Sequence, residues 1–73
     1  MIKEKIGKRI KELRLKNNMT QEVFAELSGL DRTYITSLER GQRNISIVNL
    51  ERIAKAFDIS LSELLSFEEI KDE

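Results

Sequence analysis

The chain has 73 residues, in which thirteen Lys and Arg balance thirteen Asp and Glu, and it contains neither cysteine nor histidine. This length allows one small domain, and the missing residue types argue against disulfides, thiolate metal sites and imidazole or thiol catalysis, so we expect no enzyme, metal or cofactor. Because no apolar run approaches the roughly 18 residues of a membrane helix and no signal peptide is evident, we expect a soluble cytoplasmic domain.

The first predicted helix covers residues 2–16 and is basic. One of its faces repeats an apolar residue at positions i, i+4 and i+7: Ile6, Ile10 and Leu13. Residues 1–16 hold seven cations against two carboxylates, whereas residues 61–73 hold one cation against five carboxylates. This asymmetry predicts one face that attracts a polyanion and an opposite end that repels it, although an ordinary solvated surface is the alternative.

Four further helices are predicted, and each is preceded by a residue that favours an N-cap. These N-caps are Thr20, Asp31, Ser46 and Ser60. Asn17-Asn18 ends the first helix, while Gly29 and Gly41 are placed to end the second and third. We therefore expect a compact all-α domain of five helices over residues 1–73, whose last helix spans about residues 61–70.

The second and third helices have the spacing of a helix-turn-helix, over about residues 20–40. Only Leu30 separates them, and two helices joined by so short a Gly-containing turn must cross steeply. Four positions fit this motif at fixed offsets, namely a small contact residue, a turn glycine and two apolar anchors: Ala25, Gly29, Ile35 and Leu38.

The third helix is expected to turn its apolar side inward and a polar side outward. The outward side carries Thr33, Thr36, Ser37 and Arg40, with Arg32 and Tyr34 on its flanks. Arg can pair bidentately with guanine, and Thr and Ser can meet base edges, so this side suits the major groove of DNA. The alternative is the polar solvated face of any surface helix.

The segment MTQEVFAELSGLDRTYITSLERG, residues 19–41, resembles the DNA-binding domain of the phage repressor and Cro family. More narrowly, the segments LDRTYI (residues 30–35) and RNIS (residues 43–46) resemble the controller proteins of restriction–modification systems. Ile45 departs from the wider family, where many members have proline, and fits the controller-like proteins. The resemblance implies a lambda-repressor-like fold and a sequence-specific transcriptional regulator that activates and represses its own promoter.

The resemblance also implies two sets of contacts with double-stranded operator DNA. Bases would be read from the third helix by Arg32, Thr33 and Ser37, assisted by Tyr34 and Thr36. Phosphates would be bound from the second helix, the end of the third helix and the following loop: Thr20, Gln21, Arg40, Gln42, Arg43 and Asn44. Gln21 would in addition brace the recognition helix.

Four further charged residues match family positions. Arg14 and Glu39 match a structural ion pair between the first and third helices. Glu22 and Glu26 match acidic residues through which activating repressors of the family touch RNA polymerase, and its sigma subunit is the expected contact. The alternative for Glu22 and Glu26 is two solvated carboxylates.

The fifth helix is the expected interface of a homodimer on a pseudo-palindromic operator. A twofold axis would place the two recognition helices one turn of DNA apart, roughly 34 Å. Leu64 and Leu65 are expected to face the core, and the predicted dimer surface comprises Leu61, Glu63, Leu64, Phe67 and Ile70. The alternative is that Phe67 and Ile70 only complete a small core.

A second function remains compatible with a small helical domain. A protein-binding adaptor or antitoxin-like repressor would present an apolar patch in place of the hydroxyl and arginine side of the third helix. The salt dependence of DNA binding separates the two functions, because each phosphate contact contributes about −0.9 to the log–log slope.

Overall fold

The structure, a computed structural model, describes residues 1–67. Five α-helices follow one another in this range: α1 (Ile2–Lys16), α2 (Gln21–Ser28), α3 (Arg32–Glu39), α4 (Ile47–Ala56) and α5 (Leu61–Leu64). No strand occurs among the described residues, and the all-α fold expected from the sequence is confirmed. Among residues 1–67, no helix combines the length and the hydropathy of a membrane span.

The N-caps predicted from the sequence are formed in the structure. Each cap side chain accepts a hydrogen bond of 2.9–3.1 Å from a backbone N–H in the first turn of its helix: Thr20, Asp31, Ser46 and Ser60. A cap of this kind stabilises a helix by about 1 kcal/mol relative to alanine. Local sequence therefore determines where α2 to α5 begin.

The turn between α2 and α3 depends on Gly29. Its φ of 74° lies in the left-handed region, and its N–H donates to the carbonyl of Ala25 at 2.9 Å. Glycine adopts this conformation without steric cost, and the chain can therefore leave α2 abruptly. Ser28 supports the same turn, because its hydroxyl accepts from the N–H of Leu30 at 3.3 Å. A connection this short prevents α2 and α3 from running antiparallel, as a helix-turn-helix requires.

The core lies between the four longer helices and α5. Its fully buried side chains are Ile10, Phe24, Ile35, Leu38, Ile53 and Leu64. The rings of Phe24 in α2 and Phe57 after α4 stack with centroids 4.8 Å apart and an interplanar angle of 7°. Ile35 and Leu38 anchor α3 to this core and so determine which side of α3 faces outward.

Helix α1 crosses the end of α3 at Gly7. A Cβ atom at position 7 would lie 2.4 Å from the carbonyl oxygen of Leu38 and 3.0 Å from that of Glu39. Only glycine fits so close a backbone approach. The contact fixes the C-terminal end of α3 against α1, a feature that the apolar pattern of α1 did not indicate.

The prediction that the last helix reaches about residue 70 is wrong. Helix α5 ends at Leu64, and Ser66 and Phe67 are not helical. The physical reason lies in α1: the Arg9 guanidinium donates to the carbonyls of Leu64, at 3.0 Å, and Glu63, at 2.7 Å. In a longer helix, the Leu64 carbonyl would instead accept a hydrogen bond from the following turn.

The predicted dimer surface changes accordingly. Leu64 is only 1% exposed and packs in the core of its own protomer, so it is unavailable to a partner copy. Leu61 and Phe67 are half-buried, and Glu63 is exposed. Ile70, the remaining residue of the prediction, lies outside the described residues.

Candidate nucleic-acid interface

The outward side of α3 forms a depression lined by side chains that carry polar groups. It is open to solvent, has a volume of about 310 Å³, and is lined by Arg32, Thr33, Thr36, Ser37 and Arg40. The opposite side of the helix consists of buried Ile35 and Leu38. The structure therefore brings five predicted DNA-contact residues together on one surface, in the orientation that the helical periodicity predicts.

Beneath this surface lies a buried ion pair between α1 and α3. Arg14 Nε donates to Glu39 Oε2 at 2.7 Å and Nη2 donates to Oε1 at 3.1 Å, which makes the pair bidentate. The two side chains are 9% and 4% exposed. Arg14 Nη1 also donates to the carbonyl of Met19 at 2.8 Å. The pair thus connects α1, the approach to α2 and the end of α3.

Gln21 joins the ion pair to the polar side of α3. Its Nε2 donates to Glu39 Oε1 at 3.1 Å, and its Oε1 accepts from the Thr36 hydroxyl at 3.0 Å. Gln21 is the first residue of α2, so this chain of hydrogen bonds fixes the spacing between α2 and α3. The resemblance implied the bracing role of Gln21, and the geometry shows that the brace reaches back to Arg14.

The loop after α3 is held against that helix by Arg43. Its Nε donates to the Ser37 hydroxyl at 3.0 Å, and its guanidinium carbon lies 5.0 Å from the centroid of the Tyr34 ring. Such a cation–π contact contributes about 0.5–1 kcal/mol at an exposed site. The neighbouring Gln42 and Asn44 are exposed. Sequence reasoning placed Arg43 in the loop but missed its contact with Tyr34.

A second Arg–Glu pair lies at the N-terminal end of α3. Arg32 Nη1 is 3.4 Å from Glu22 Oε2, and the side chains are 61% and 75% exposed. Glu26 is exposed one turn further along α2, next to the exposed apolar residues Val23 and Leu27. The structure thus brings a predicted base-contact residue, Arg32, beside a predicted polymerase-contact residue, Glu22. No local pattern in the sequence indicates this pair.

The first turn of α2 completes the surface. Thr20 and Gln21 occupy the N-terminal end of α2, where unpaired backbone N–H groups and the helix dipole favour an anion such as phosphate. Arg40 is exposed at the C-terminal end of α3. Within residues 1–67, no three carboxylate, thiol or imidazole groups are arranged to hold a metal ion. The surface can therefore offer cations, hydroxyls and amide groups to a polyanion.

Comparisons with known proteins agree with this architecture. A helix-turn-helix family model matches residues 10–64. The control protein C.MunI from a Mycoplasma species is 50% identical over 66 residues, which are 89% of each chain.

Two solved structures of controller proteins are similar to this chain. The restriction–modification controller protein C.AhdI from Aeromonas hydrophila has 50% identity and a TM-score of 0.82, over 85% of this chain and 94% of that one. The controller protein C.Esp1396I, solved as a tetramer with its natural 35-base-pair operator, has 44% identity and a TM-score of 0.78. That match covers 84% of this chain and 80% of the controller.

Proposed function

This chain belongs to the helix-turn-helix family, and we propose that it is a sequence-specific DNA-binding transcriptional regulator, the controller protein of a restriction–modification system. It works in the cytoplasm as a homodimer on a pseudo-palindromic operator, where it activates and represses its own promoter. The observation that carries the proposal is the depression on α3, where arginines and hydroxyls face outward above a buried brace. The similarity to C.MunI and C.AhdI supports the controller role.

Recognition follows from the chemistry of the two sides of α3. The helix enters the major groove, where the Arg32 guanidinium pairs with the O6 and N7 atoms of guanine and Thr33 contacts a neighbouring base. Arg40, Arg43 and Asn44 bind phosphates, and the N-terminus of α2 binds another phosphate through Gln21. Phosphate contacts fix the position of the helix, and base contacts select the sequence.

Dimerisation multiplies the few base contacts that one small domain can make. A twofold axis near α5 presents two recognition helices one turn of DNA apart, roughly 34 Å. Leu61 and Phe67 remain as apolar candidates for this interface, since Leu64 is buried within the protomer. The similar C.Esp1396I structure, a tetramer on its operator, supports assembly on DNA.

Activation uses the acidic side of α2. Glu22 and Glu26 are exposed on α2, and Glu22 lies beside Arg32 of α3, so a protein docked beside the operator can reach them. We assign this contact to RNA polymerase at its sigma subunit. Changing both residues to lysine should abolish activation in a promoter assay without lowering operator affinity, and unchanged activation would contradict the assignment.

Footprinting on the DNA upstream of the protein's own gene tests the proposal. We expect two protected half-sites, one helical turn apart, and a neighbouring methyltransferase and endonuclease gene pair. Titrations at several salt concentrations should give a steep slope, about −0.9 per phosphate contact. A protein-binding adaptor would give no footprint, and the arginines and hydroxyls on α3 disfavour that alternative.

A further inference from the structure

We propose that Thr36 and Ser37 present hydrogen-bond acceptors to the DNA, so that they bind exocyclic amino groups in the major groove and not N7 or keto oxygens. The available amino groups are N6 of adenine and N4 of cytosine. This inference rests on the proposed function, because it concerns the bases that α3 reads. It goes beyond that function by assigning the polarity of two contacts that threonine and serine usually leave open.

The Thr36 hydroxyl has already donated its hydrogen inside the protein. Its Oγ1 lies 3.0 Å from the Oε1 atom of Gln21 and 3.0 Å from the carbonyl oxygen of Arg32. Both neighbours are acceptors, and a hydroxyl has one hydrogen to donate. Since Thr36 also lines the outward depression, lone pairs of its oxygen are what it can offer to a base.

The buried ion pair fixes this polarity. A carboxylate only accepts hydrogen bonds, so the Gln21 amide must turn its nitrogen toward Glu39, at 3.1 Å, and its oxygen toward Thr36. Arg14 fixes that carboxylate in turn through its bidentate contact. Gln21 is therefore a positioning residue: it acts on the DNA contact of Thr36 by accepting from its hydroxyl.

Ser37 is constrained in the same sense by different partners. Its hydroxyl lies 3.1 Å from the carbonyl oxygen of Tyr34 and 3.3 Å from that of Thr33, and it accepts from Arg43 Nε at 3.0 Å. Its hydrogen goes to a carbonyl of the preceding turn, and one lone pair goes to Arg43. One further lone pair is left for an amino group of the DNA.

Thr33 provides the contrast within the same surface. Its hydroxyl makes no hydrogen bond within residues 1–67, although it lines the same depression. A free hydroxyl rotates and either donates or accepts, so Thr33 tolerates either kind of base atom. Thr33→Val is therefore the matched control for Thr36→Val.

The test deletes single atoms from the DNA. The preferred sequence of the wild-type protein is first selected from a random duplex library, and the base pair at which Thr36→Val relaxes the preference is identified. At that pair, purine replaces adenine, or pyrimidin-2-one replaces cytosine, which removes only the amino group. Separate duplexes carry 7-deazaadenine or 7-deazaguanine in place of the purine, or 5-methylpyrimidin-2-one in place of thymine, to remove only an acceptor. The same steps with Ser37→Ala test the second hydroxyl.

We expect amino deletion to weaken wild-type binding about three- to ten-fold more than it weakens binding by Thr36→Val, as for one lost hydrogen bond. Acceptor deletion should affect both proteins equally, and Thr36→Ser should regain the sensitivity to amino deletion. Thr33→Val should leave that sensitivity unchanged.

The inference is overturned if the wild-type protein and Thr36→Val lose affinity equally on amino deletion. It is also overturned if their affinities differ instead on deletion of an N7 or keto atom. Either result leaves the proposed function intact. Failure of the wild-type protein to enrich any sequence would defeat the proposed function itself. The two failures are therefore distinguishable within one experiment. Thermal unfolding of each variant, followed by circular dichroism, establishes that folded proteins are being compared.

Discussion

The two Arg–Glu pairs of this chain have the same chemistry and different surroundings. Arg14 and Glu39 are buried, bidentate and connected through Gln21 to α3. Arg32 and Glu22 are exposed and joined by one contact of 3.4 Å. A buried charge cannot be left unpaired without a large desolvation cost, whereas water readily replaces the partner of an exposed one.

This difference gives the two pairs different roles, a structural role for the buried pair and, under the proposed function, a DNA-reading role for Arg32 of the exposed pair. The buried pair keeps α1, α2 and α3 in one arrangement, and its partners cannot be exchanged at low cost. The exposed pair contributes about 0–1 kcal/mol, so under the proposed function Arg32 can leave Glu22 for a guanine at little cost. The buried pair therefore holds the helices rigidly, while the Arg32 side chain on α3 can change its partner.

The largest expected effect comes from breaking the buried pair. Glu39→Ala leaves the Arg14 guanidinium buried without its carboxylate and removes the acceptor of the Gln21 amide. We expect a loss of about 3–5 kcal/mol in the free energy of unfolding, measured by urea denaturation.

The double variant Arg14→Met/Glu39→Met provides the control, because it removes both charges and keeps apolar volume. Its loss of unfolding free energy should be smaller than the summed losses of Arg14→Met and Glu39→Met, since neither charge is left unpaired in the double variant. Additive losses would show that the two side chains do not act as a pair.

Gly7 provides the next largest effect. Gly7→Ala forces α1 away from the end of α3, because the added Cβ would lie 2.4 Å from the Leu38 carbonyl oxygen. We expect a loss of about 1–3 kcal/mol, measured by the same denaturation. The exposed neighbour Lys8, changed to alanine, should alter stability by less than about 0.5 kcal/mol. Equal effects at both positions would contradict the close crossing.

The features that the sequence predicts correctly depend on residues close together in the chain. The helix starts and the orientation of α3 depend on neighbours three or four positions apart, such as Ser46 and Asn49 or Ile35 and Leu38. Patterns of that range are visible in a single sequence. Arg14 and Glu39 lie 25 positions apart, and only the family resemblance paired them in advance.

Contacts between distant segments explain the failures. The sequence around residues 61–70 is compatible with a continuing helix. No local pattern indicates that Arg9, 55 positions before Leu64, donates a hydrogen bond to the Leu64 carbonyl. The close approach at Gly7 likewise depends on backbone from another helix. The pairing of Arg43 with Tyr34 depends on how the loop folds back, which its composition does not specify.

Arg32→Ala should separate recognition from support. Because Arg32 is exposed, the free energy of unfolding should change by less than about 1 kcal/mol. Affinity for the cognate site should fall by about 1–3 kcal/mol, with relaxed preference at one base pair. Fluorescence anisotropy on cognate and singly substituted duplexes measures both quantities. Arg43→Ala should weaken all duplexes alike, whereas a uniform loss for Arg32→Ala would assign Arg32 to a phosphate and not to a base.

The smallest effect is expected for Glu22→Gln, which removes the exposed partner of Arg32 and keeps the shape of the side chain. Stability should be nearly unchanged, and affinity for the cognate duplex should rise by no more than about five-fold, because Arg32 no longer leaves a carboxylate to reach the base. The gain should shrink as salt is raised, since exposed charges are screened. Glu26→Gln, outside the Arg32 pair, is the matched control and should show less of this gain. If Glu22→Gln lowered the affinity as much as Arg32→Ala does, Glu22 would be needed to orient Arg32. The exposed pair would then have a structural role like that of the buried pair.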